Sequence, residues 1–452
     1  MAELPAQGWS YLCPAASFPA FRTMAPAAPS ATPRHDPYAA LRVPDFRRFI
    51  GARASFVIAT RIQGLVVSWQ LFKLTDDPLA LGLIGLTEAI PSIAVSLYAG
   101  HVADSVQRKN IITAAVTVLL VCAGALALLA WGVQTQLLDI RQTGTLPIYG
   151  VIFVSGIARG FLGPALFSYM PQLLPDRDKL ANAITWNSTT WQGSSVIGPV
   201  IGGYLIAHLG VANAYTIATA LFVVSLGLFI SLTSHPLPAR EGEAPDFMES
   251  ISGGLRFIFG NQLVLAALSL DLFAVLFGGA VALLPVFAEK ILTVGASGLG
   301  HLEAAPAVGS VLMALLLTYF PLRRFAGRKL LWAVAGFGLA TIGFALSRNF
   351  YLSLGLLFLT GVFDSVSVIV RATLLQTFTP EYMKGRVSAV NNIFIGSSNE
   401  IGAFESGVMA KWLGTTASVV FGGIMTLVVV GVTALKADKL RRLDMTPEKK
   451  PA

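Results

Sequence analysis

The chain has 452 residues, of which 54% are hydrophobic and only 12% are charged. A soluble domain carries about 25% charged residues, so this composition excludes an ordinary water-soluble protein and indicates a polytopic membrane protein. Basic loops on one side of a membrane explain the net charge of +8, and we expect no nucleic-acid partner. The two cysteines and five histidines are dispersed along the chain, so neither a disulfide framework nor a metal site is predicted.

Residues 1–40 are rich in Ala, Pro and Ser and lack hydrophobic periodicity, which predicts a disordered tail. No apolar run of suitable length follows a basic start, so no signal peptide is predicted, and Met24 is an alternative start of the chain. Residues 437–452 are predicted to form a second, C-terminal tail.

Twelve apolar segments lie between the two tails, each close to the roughly 20 residues that a helix needs to cross a bilayer. We predict spans at about 49–73, 79–101, 109–131, 147–173, 181–207, 211–233, 262–288, 297–318, 329–347, 351–378, 386–409 and 414–436. An even number of spans places both termini on the same side of the membrane.

The distribution of lysine and arginine residues predicts how these spans are oriented in the membrane. Most of the 32 lie on the side of the termini, and five lie on the opposite side: Lys73, Arg141, Lys290, Arg348 and Lys411. Loops rich in these residues stay in the cytoplasm, so both termini are predicted to be cytoplasmic. We call the side of the termini the predicted inner face and the opposite side the predicted outer face.

Two halves, residues 41–233 and 261–436, repeat each other. Gly85-Leu-Thr-Glu88-Ala-Ile-Pro91 matches Gly300-His-Leu-Glu303-Ala-Ala-Pro306, and further along Gly156 matches Gly361. The linker, residues 234–260, carries Phe247, Ile251, Leu255 and Ile258 at helical spacing, which predicts a short interfacial helix. Related halves of this kind are a recurrent transporter architecture with substrate sites near the midplane.

Three motifs lie in the first half of the chain. The hinge Gly100-His-Val-Ala-Asp104-Ser-Val-Gln-Arg108-Lys109 resembles the loop signature that follows the second span in the major facilitator superfamily, and Arg159-Gly-Phe-Leu-Gly163 resembles the R-x-x-x-G motif of that superfamily. The fifth span contains Ser194-Ser-Val-Ile-Gly198-Pro199-Val-Ile-Gly202-Gly203, which resembles the antiporter motif with Ser in place of its first Gly. The corresponding second-half hinge, at Arg323-Arg324, lacks the Asp.

The eleventh span, with Ser397-Ser-Asn399-Glu400-Ile-Gly402-Ala-Phe404-Glu405, resembles the branch of the superfamily that contains the bacterial enterobactin exporter. The resemblance implies an all-α polytopic membrane protein with twelve transmembrane helices in two pseudo-symmetric six-helix halves. It implies a location in the bacterial cytoplasmic (inner) membrane, a gating role for the hinge and proton coupling through the fourth span.

Ten ionisable residues lie within the predicted spans: Arg53, Arg61, Glu88, Arg159, Asp271, Glu303, Asp364, Arg371, Glu400 and Glu405. Such residues cost about 2.5–3.5 kcal/mol each on insertion scales and usually mark function. The same spacing that matches Gly156 with Gly361 makes Arg159 and Asp364 equivalent positions in the two halves. We therefore expect these two side chains to oppose each other across the cavity, either as a coupling pair or as a permanent strut. Arg61 and Asp271 form a second, weaker candidate pair, and Arg371 lies two turns from Asp364.

We therefore predict a monomeric secondary transporter that exports a small organic molecule, either a siderophore or an amphiphilic drug-like compound, against protons by alternating access. Asp364 is the first candidate for proton coupling, followed by Asp271 and then by Glu400 and Glu405. An importer or lipid flippase on the same fold is the alternative, because fold does not determine direction. An enzyme is not expected, since the sequence shows no catalytic Ser/His/Asp grouping, no nucleophile elbow and no ATP-binding P-loop, and no cofactor is predicted.

Overall fold

The computed structural model describes residues 36–136, 144–234, 247–320, 325–380 and 383–444, and within these ranges the chain is helical and contains no β-strand. Twelve long helices coincide with the predicted spans: α1 Pro44–Thr75, α2 Pro78–Ser105, α3 Arg108–Gln134, α4 Leu146–Tyr169, α5 Leu180–Leu209, α6 Val211–Ile230, α7 Gln262–Phe277, α8 Gly295–Tyr319, α9 Ala326–Leu346, α10 Phe350–Phe378, α11 Lys384–Leu413 and α12 Thr415–Lys436.

Ten helical segments of the described chain are long and apolar enough to cross a membrane. The other two long helices, α5 and α11, have 30 residues each and carry more polar side chains. Their length of about 45 Å, at 1.5 Å per residue, exceeds the roughly 30 Å hydrocarbon core. These two helices are therefore long enough to cross the membrane, although their hydropathy alone does not indicate it.

Local chemistry explains where several helices begin and end. The Asp77 side chain accepts a hydrogen bond of 3.0 Å from the Leu79 amide at the start of α2, and Asn261 and Asn349 cap α7 and α10 in the same way. The turns α5–α6 and α11–α12 each consist of one glycine with positive φ, 83° at Gly210 and 89° at Gly414. Only glycine adopts this conformation without a steric penalty.

The seventh predicted span, 262–288, is not one continuous α-helix. Regular helix ends at Phe277, and the chain continues through a 3₁₀ turn at Ala280–Leu283 and a π turn at Phe287–Ile291. Gly278, Gly279 and Pro285 interrupt the α-helical hydrogen bonding here. A Cβ atom on Gly279 would lie 2.6 Å from the Gly402 carbonyl oxygen, so the break lets this backbone pass close to α11.

The packing of the helices repeats between the halves. In the first half α1 packs against α5 and α6, α2 against α4, and α3 against α4 and α6. In the second half α7 packs against α11 and α12, α8 against α10, and α9 against α10 and α12. Each contact has its counterpart six helices further along, which is the expected pseudo-symmetry.

The segments next to the two halves pack against them at several points. Residues 1–35 lie outside the described chain, and the Ala40 amide donates to Asn182 Oδ1 at 3.0 Å, so the last residues of the predicted tail 1–40 contact α5. A helix, Phe247–Gly260, runs through the linker, and its Ile258 is fully buried against the second half. The turn Asp438–Arg441 likewise buries Leu440, within the region predicted as a C-terminal tail.

The hydrophobic core is divided along the bundle axis. Toward the predicted inner face each half has its own cluster of buried side chains, one around Phe49 and Phe222 and the other around Leu268 and Leu374. Toward the predicted outer face a single cluster contains residues of both halves, from Ile62 to Val419. The two halves are therefore joined at the predicted outer face and packed separately at the predicted inner face.

Two symmetric helix crossings, α5–α8 and α2–α11, join the halves. A Cβ atom on Gly203 would lie 2.5 Å from the Ala296 carbonyl oxygen and 2.9 Å from Gly300 Cα. A Cβ atom on Gly407 would lie 2.9 Å from Gly82 Cα. These glycines are required where the backbones of the two halves touch, since small residues permit the closest helix approach in a membrane protein.

Candidate functional site

A cavity of about 210 Å³ lies between the two halves, below the joined outer face. Glu88 of α2, Glu303 of α8 and Glu400 of α11 reach it from three helices. Its apolar wall comes from Leu81, Ile84, Val281, Ala282, Pro285 and Ala403. A mostly apolar pocket with a few convergent charged groups is the usual form of a small-molecule site.

Glu88 forms an ion pair with Arg159 of α4, with 2.5 Å between Oε1 and Nη1. Both side chains are about one quarter exposed, 25% for Glu88 and 27% for Arg159. Two glycines bring the helices together: Cβ atoms on Gly156 and Gly160 would lie 2.5 Å and 2.8 Å from the carbonyl oxygens of Glu88 and Ser92. The close α2–α4 packing thus presents Arg159 to Glu88.

The predicted pairing of Arg159 with Asp364 is wrong in this structure. Arg159 faces a helix of its own half, and no ion pair to Asp364 is found in the described chain. The repeat register correctly made the two positions equivalent, because Gly361 packs on Pro306 just as Gly156 packs on Pro91. The equivalent positions are not neighbours, because α4 packs on α2 and α10 packs on α8, each within its own half.

The predicted pairing of Arg61 with Asp271 is also wrong, because Asp271 pairs with Arg371 of α10. This pair is deeply buried, with side-chain exposures of 10% for Asp271 and 5% for Arg371. The Ser367 hydroxyl donates to Asp271 at 3.4 Å, and Asp364 lines the same small pocket as Asp271. The second half therefore holds a buried cluster of two carboxylates and one guanidinium.

Arg61 lies on the exposed side of α1 and interacts electrostatically with Glu303, Glu88 and Arg159. Its guanidinium carbon is 5.6 Å from the ring centre of Trp191 on α5, and that of Arg53 is 5.0 Å from the same ring. Sequence reasoning did not single out Trp191. The only available signal was its place within the polar run Asn187-Ser-Thr-Thr-Trp191-Gln192 of an otherwise apolar span.

At the predicted outer face, three ion pairs connect the halves directly above the cavity. Asp76 pairs with Lys290 and Asp77 with Lys411, each at 2.6 Å, and Lys73 pairs with Glu289. All three lysines belong to the five basic residues predicted for the outer face, but their partners could not be identified from sequence. Exposed pairs contribute about 0–1 kcal/mol each, so together they reinforce a closure that the glycine contacts create.

The pKa of Asp77 reflects its ion pair with Lys411 at the predicted outer face. Partial burial alone would raise the pKa of the carboxyl group, but hydrogen bonds from Lys411 and from the Leu79 amide more than offset that effect. The pKa of Asp77 therefore lies below its ordinary value, and the carboxylate remains charged at neutral pH.

The hinge residues make local contacts on the predicted inner side. Arg108 Nη1 donates to the Ser168 carbonyl at 3.2 Å, and Lys109 Nζ donates to the Leu232 carbonyl at 2.5 Å. The side chain of Asp104 and the surroundings of Gly100 lie outside what the structure describes. The basic hinge residues thus bind the inner ends of α4 and α6, within their own half.

The glycines of the antiporter-like motif bring α5 close to two other helices, α1 and α8. A Cβ atom on Gly198 would lie 2.5 Å from Arg61 Cβ, and one on Gly202 would lie 3.3 Å from Ile62 Cα, so these glycines bring α5 against α1. Gly203 instead faces α8 of the other half, and Pro199 lies inside α5 between the two sets. Glu405, on α11, is not among the residues that line the cavity, and its buried Oε1 finds no hydrogen-bond partner within the described residues.

Comparison with known proteins gives a consistent result. The model of the Major Facilitator Superfamily matches residues 50–403. The Enterobactin exporter EntS of Shigella boydii serotype 18 is 28% identical over 405 residues, which is 89% of this chain and 94% of the relative. The same exporter of Escherichia coli O157:H7 has the same identity and coverage.

Solved structures show the same fold at low sequence identity. A bacterial homologue of the human lysosomal transporter Spinster, described as inward-facing and unoccupied, superposes with a TM-score of 0.70 at 14% identity, covering 89% of this chain and 99% of its own. The POT family transporter PepTSo superposes with a TM-score of 0.68 at 13% identity, covering 89% and 99%.

Proposed function

Because this chain belongs to the major facilitator superfamily and is a multi-span membrane transporter, we propose that it exports a small organic molecule in exchange for protons. The observation that carries this proposal is the cavity between the halves, where Glu88, Glu303 and Glu400 converge below a closed outer face. A substrate from the cytoplasm would enter between the separately packed inner ends. The relatives named enterobactin exporters support a siderophore or another amphiphilic compound as the substrate.

Transport would require the two halves to separate at the predicted outer face and to join at the predicted inner face. The three outer ion pairs and the Gly203–Gly300 contact would separate as the inner ends close. The hinge residues Asp104, Arg108 and Lys109 lie at the inner end of α2 and α3, where they would hold the outward-open state. Both states then use one site at the midplane, as alternating access requires.

Proton coupling would use the buried cluster of Asp271, Asp364 and Arg371. The positive charge of Arg371 balances only one of the two carboxylates. The other carboxyl group would therefore be buried with an uncompensated charge unless it bound a proton. A rearrangement that moves Arg371 toward Asp364 would release that proton and leave Asp271 to accept the next one. The resemblance of Gly198-Pro199-Val-Ile-Gly202-Gly203 in α5 to the antiporter motif supports exchange with protons.

The distribution of basic residues supports a bacterial cytoplasmic membrane with both termini inside. A reporter that is active only outside that membrane tests this orientation. Inserted between Gly132 and Leu146 it should be active, and inserted at Glu243 it should be silent. The opposite pattern would reverse the orientation and with it the proposed direction of transport.

The function itself is tested in everted membrane vesicles, where export appears as substrate uptake driven by an imposed pH gradient. We expect uphill transport by the wild-type protein and by the control Asp176→Asn, an exposed loop residue. Asp364→Asn should lose uphill transport but keep substrate exchange without a gradient, because the cavity persists while proton binding is lost. Unchanged uphill transport would remove Asp364 from coupling, and no gradient-driven transport of any panel compound by the wild type would refute the proposal.

A further inference from the structure

Trp191 occupies an unusual position for a large aromatic side chain in the middle of α5. It is 41% exposed, whereas Ser194, Ser195 and Gly198 of the next turns are buried. Thr185 and Ser188, about two turns and one turn before it, are exposed as well. An open face of α5 therefore leads from the predicted inner end to the indole ring.

Two arginines of α1 point to this ring. The guanidinium carbon of Arg53 lies 5.0 Å from the ring centre and that of Arg61 lies 5.6 Å from it. An aromatic face attracts a cation by about 0.5–2 kcal/mol. This attraction orients the two guanidiniums but does not neutralise them.

The charge balance around the two arginines is uneven. Arg61 lies near two carboxylates of the cavity, Glu303 and Glu88, and near Arg159, which is itself paired with Glu88. Arg53 forms no ion pair in the described chain, and its buried Nε has no hydrogen-bond partner. A guanidinium inside a membrane protein is costly unless it is paired, so this site lacks a negative charge.

We propose that Arg53, Trp191 and Arg61 form a recognition site for an aromatic anion, which the transporter takes from the predicted inner side. This inference rests on the proposed function and assigns a substrate class to it. The anionic group binds the guanidinium of Arg53, whose planar donors match a carboxylate or phenolate. The aromatic ring of the ligand packs on the exposed part of the indole of Trp191.

The position of the site along α1 gives it a role in the transport cycle. Arg53 precedes Arg61 by eight residues, which is about 12 Å along a helix. The site thus lies on the predicted inner side of the glutamate-lined cavity. A ligand that moves from Arg53 and Trp191 toward the cavity reaches Arg61 next, at the depth of Glu88 and Glu303.

Binding to the purified protein in lipid nanodiscs tests the inference with three matched probes. These are 1-naphthoate, an aromatic anion; 1-naphthylmethylammonium, an aromatic cation; and cyclohexanecarboxylate, an anion without an aromatic ring. We expect 1-naphthoate to bind at least about tenfold more tightly than either other probe, since both a charged hydrogen bond and a ring contact are needed.

Variants of the two central residues give the second readout. Arg53→Gln should weaken 1-naphthoate binding by about tenfold or more, and Arg53→Lys should weaken it less because the charge remains. Trp191→Leu should weaken it by about two- to tenfold, while the control Trp332→Leu, at a side chain that is 76% exposed on α9, should have no effect.

Equal affinity for the aromatic anion and the aromatic cation would overturn the inference. Unchanged 1-naphthoate affinity in both Arg53→Gln and Trp191→Leu, with both proteins folded as judged by thermal unfolding, would also overturn it. Binding is measured without a gradient, so a failure of proton-driven export in vesicles contradicts the proposed function and leaves the binding result intact.

Discussion

Replacing Gly203 by alanine is expected to weaken the closure of the predicted outer face. The added Cβ atom would lie 2.5 Å from the carbonyl oxygen of Ala296, which is backbone and cannot rotate away. An ordinary contact between carbon and oxygen is about 3.3 Å or longer, so α5 and α8 must separate by roughly 0.8 Å. Overpacking of this kind costs about 1–3 kcal/mol, which corresponds to a shift of about 5- to 150-fold in the closed-to-open equilibrium.

Accessibility of the cavity from the predicted outer side measures this shift. Ser68 lines the cavity, and Ser68→Cys, in a protein whose Cys13 and Cys122 are replaced by alanine, reports its exposure to a membrane-impermeant maleimide. Labelling from the outer side should accelerate in Gly203→Ala and stay unchanged in the control Gly150→Ala, where an added Cβ atom meets nothing within 4 Å. Equal labelling rates in the two variants would show that the Gly203–Gly300 contact does not hold the outer face closed.

Three further predictions concern charged residues. Since the pKa of Asp77 is lowered in the closed state, its pair with Lys411 strengthens closure above the ordinary pKa of an aspartate, about 3.9, and loses this effect as the pH falls through the lowered pKa. The outer labelling rate of Ser68→Cys is divided at each pH by the rate of the same protein carrying Asp77→Asn, because the ratio cancels the ionisation of the thiol. This ratio should be lowest at neutral pH and rise toward one only in that acidic range, by at most about fivefold; a change of the ratio between pH 5 and 8 would exclude Asp77 as its source. Arg371→Gln should lower the unfolding free energy by about 3–5 kcal/mol because it leaves Asp271 buried without its partner, and adding Asp271→Asn should restore part of this in thermal unfolding; no recovery would argue against direct coupling of the two side chains. Asp104→Asn should abolish transport while membrane insertion stays normal, and full transport by this variant would exclude a gating role.

The sequence predicted the helices well because the signal for a span is local. A bilayer of fixed thickness demands about 20 apolar residues, and ten helical segments of the described chain meet this requirement at predicted spans, whereas α5 and α11 are long enough but more polar. The internal repeat was equally informative, since the matches of Pro91 with Pro306 and of Gly156 with Gly361 correspond to equivalent contacts in the two halves. Hydropathy missed the break in the seventh span at Gly278, because apolar residues continue through it.

The partners of the charged residues were decided only by the tertiary structure. Each residue turns a helix by 100°, so the face on which Arg159 or Asp271 lies depends on how its helix is rotated against its neighbours. Small residues such as Gly156 and Gly160 set that rotation through close contacts with α2, and neither hydropathy nor repeat spacing encodes it. The end at which the halves meet was undetermined for a related reason: both ends of the bundle carry charged and small residues, and only the assembled contacts of Gly203 with Gly300 and of Asp77 with Lys411 establish which end is closed.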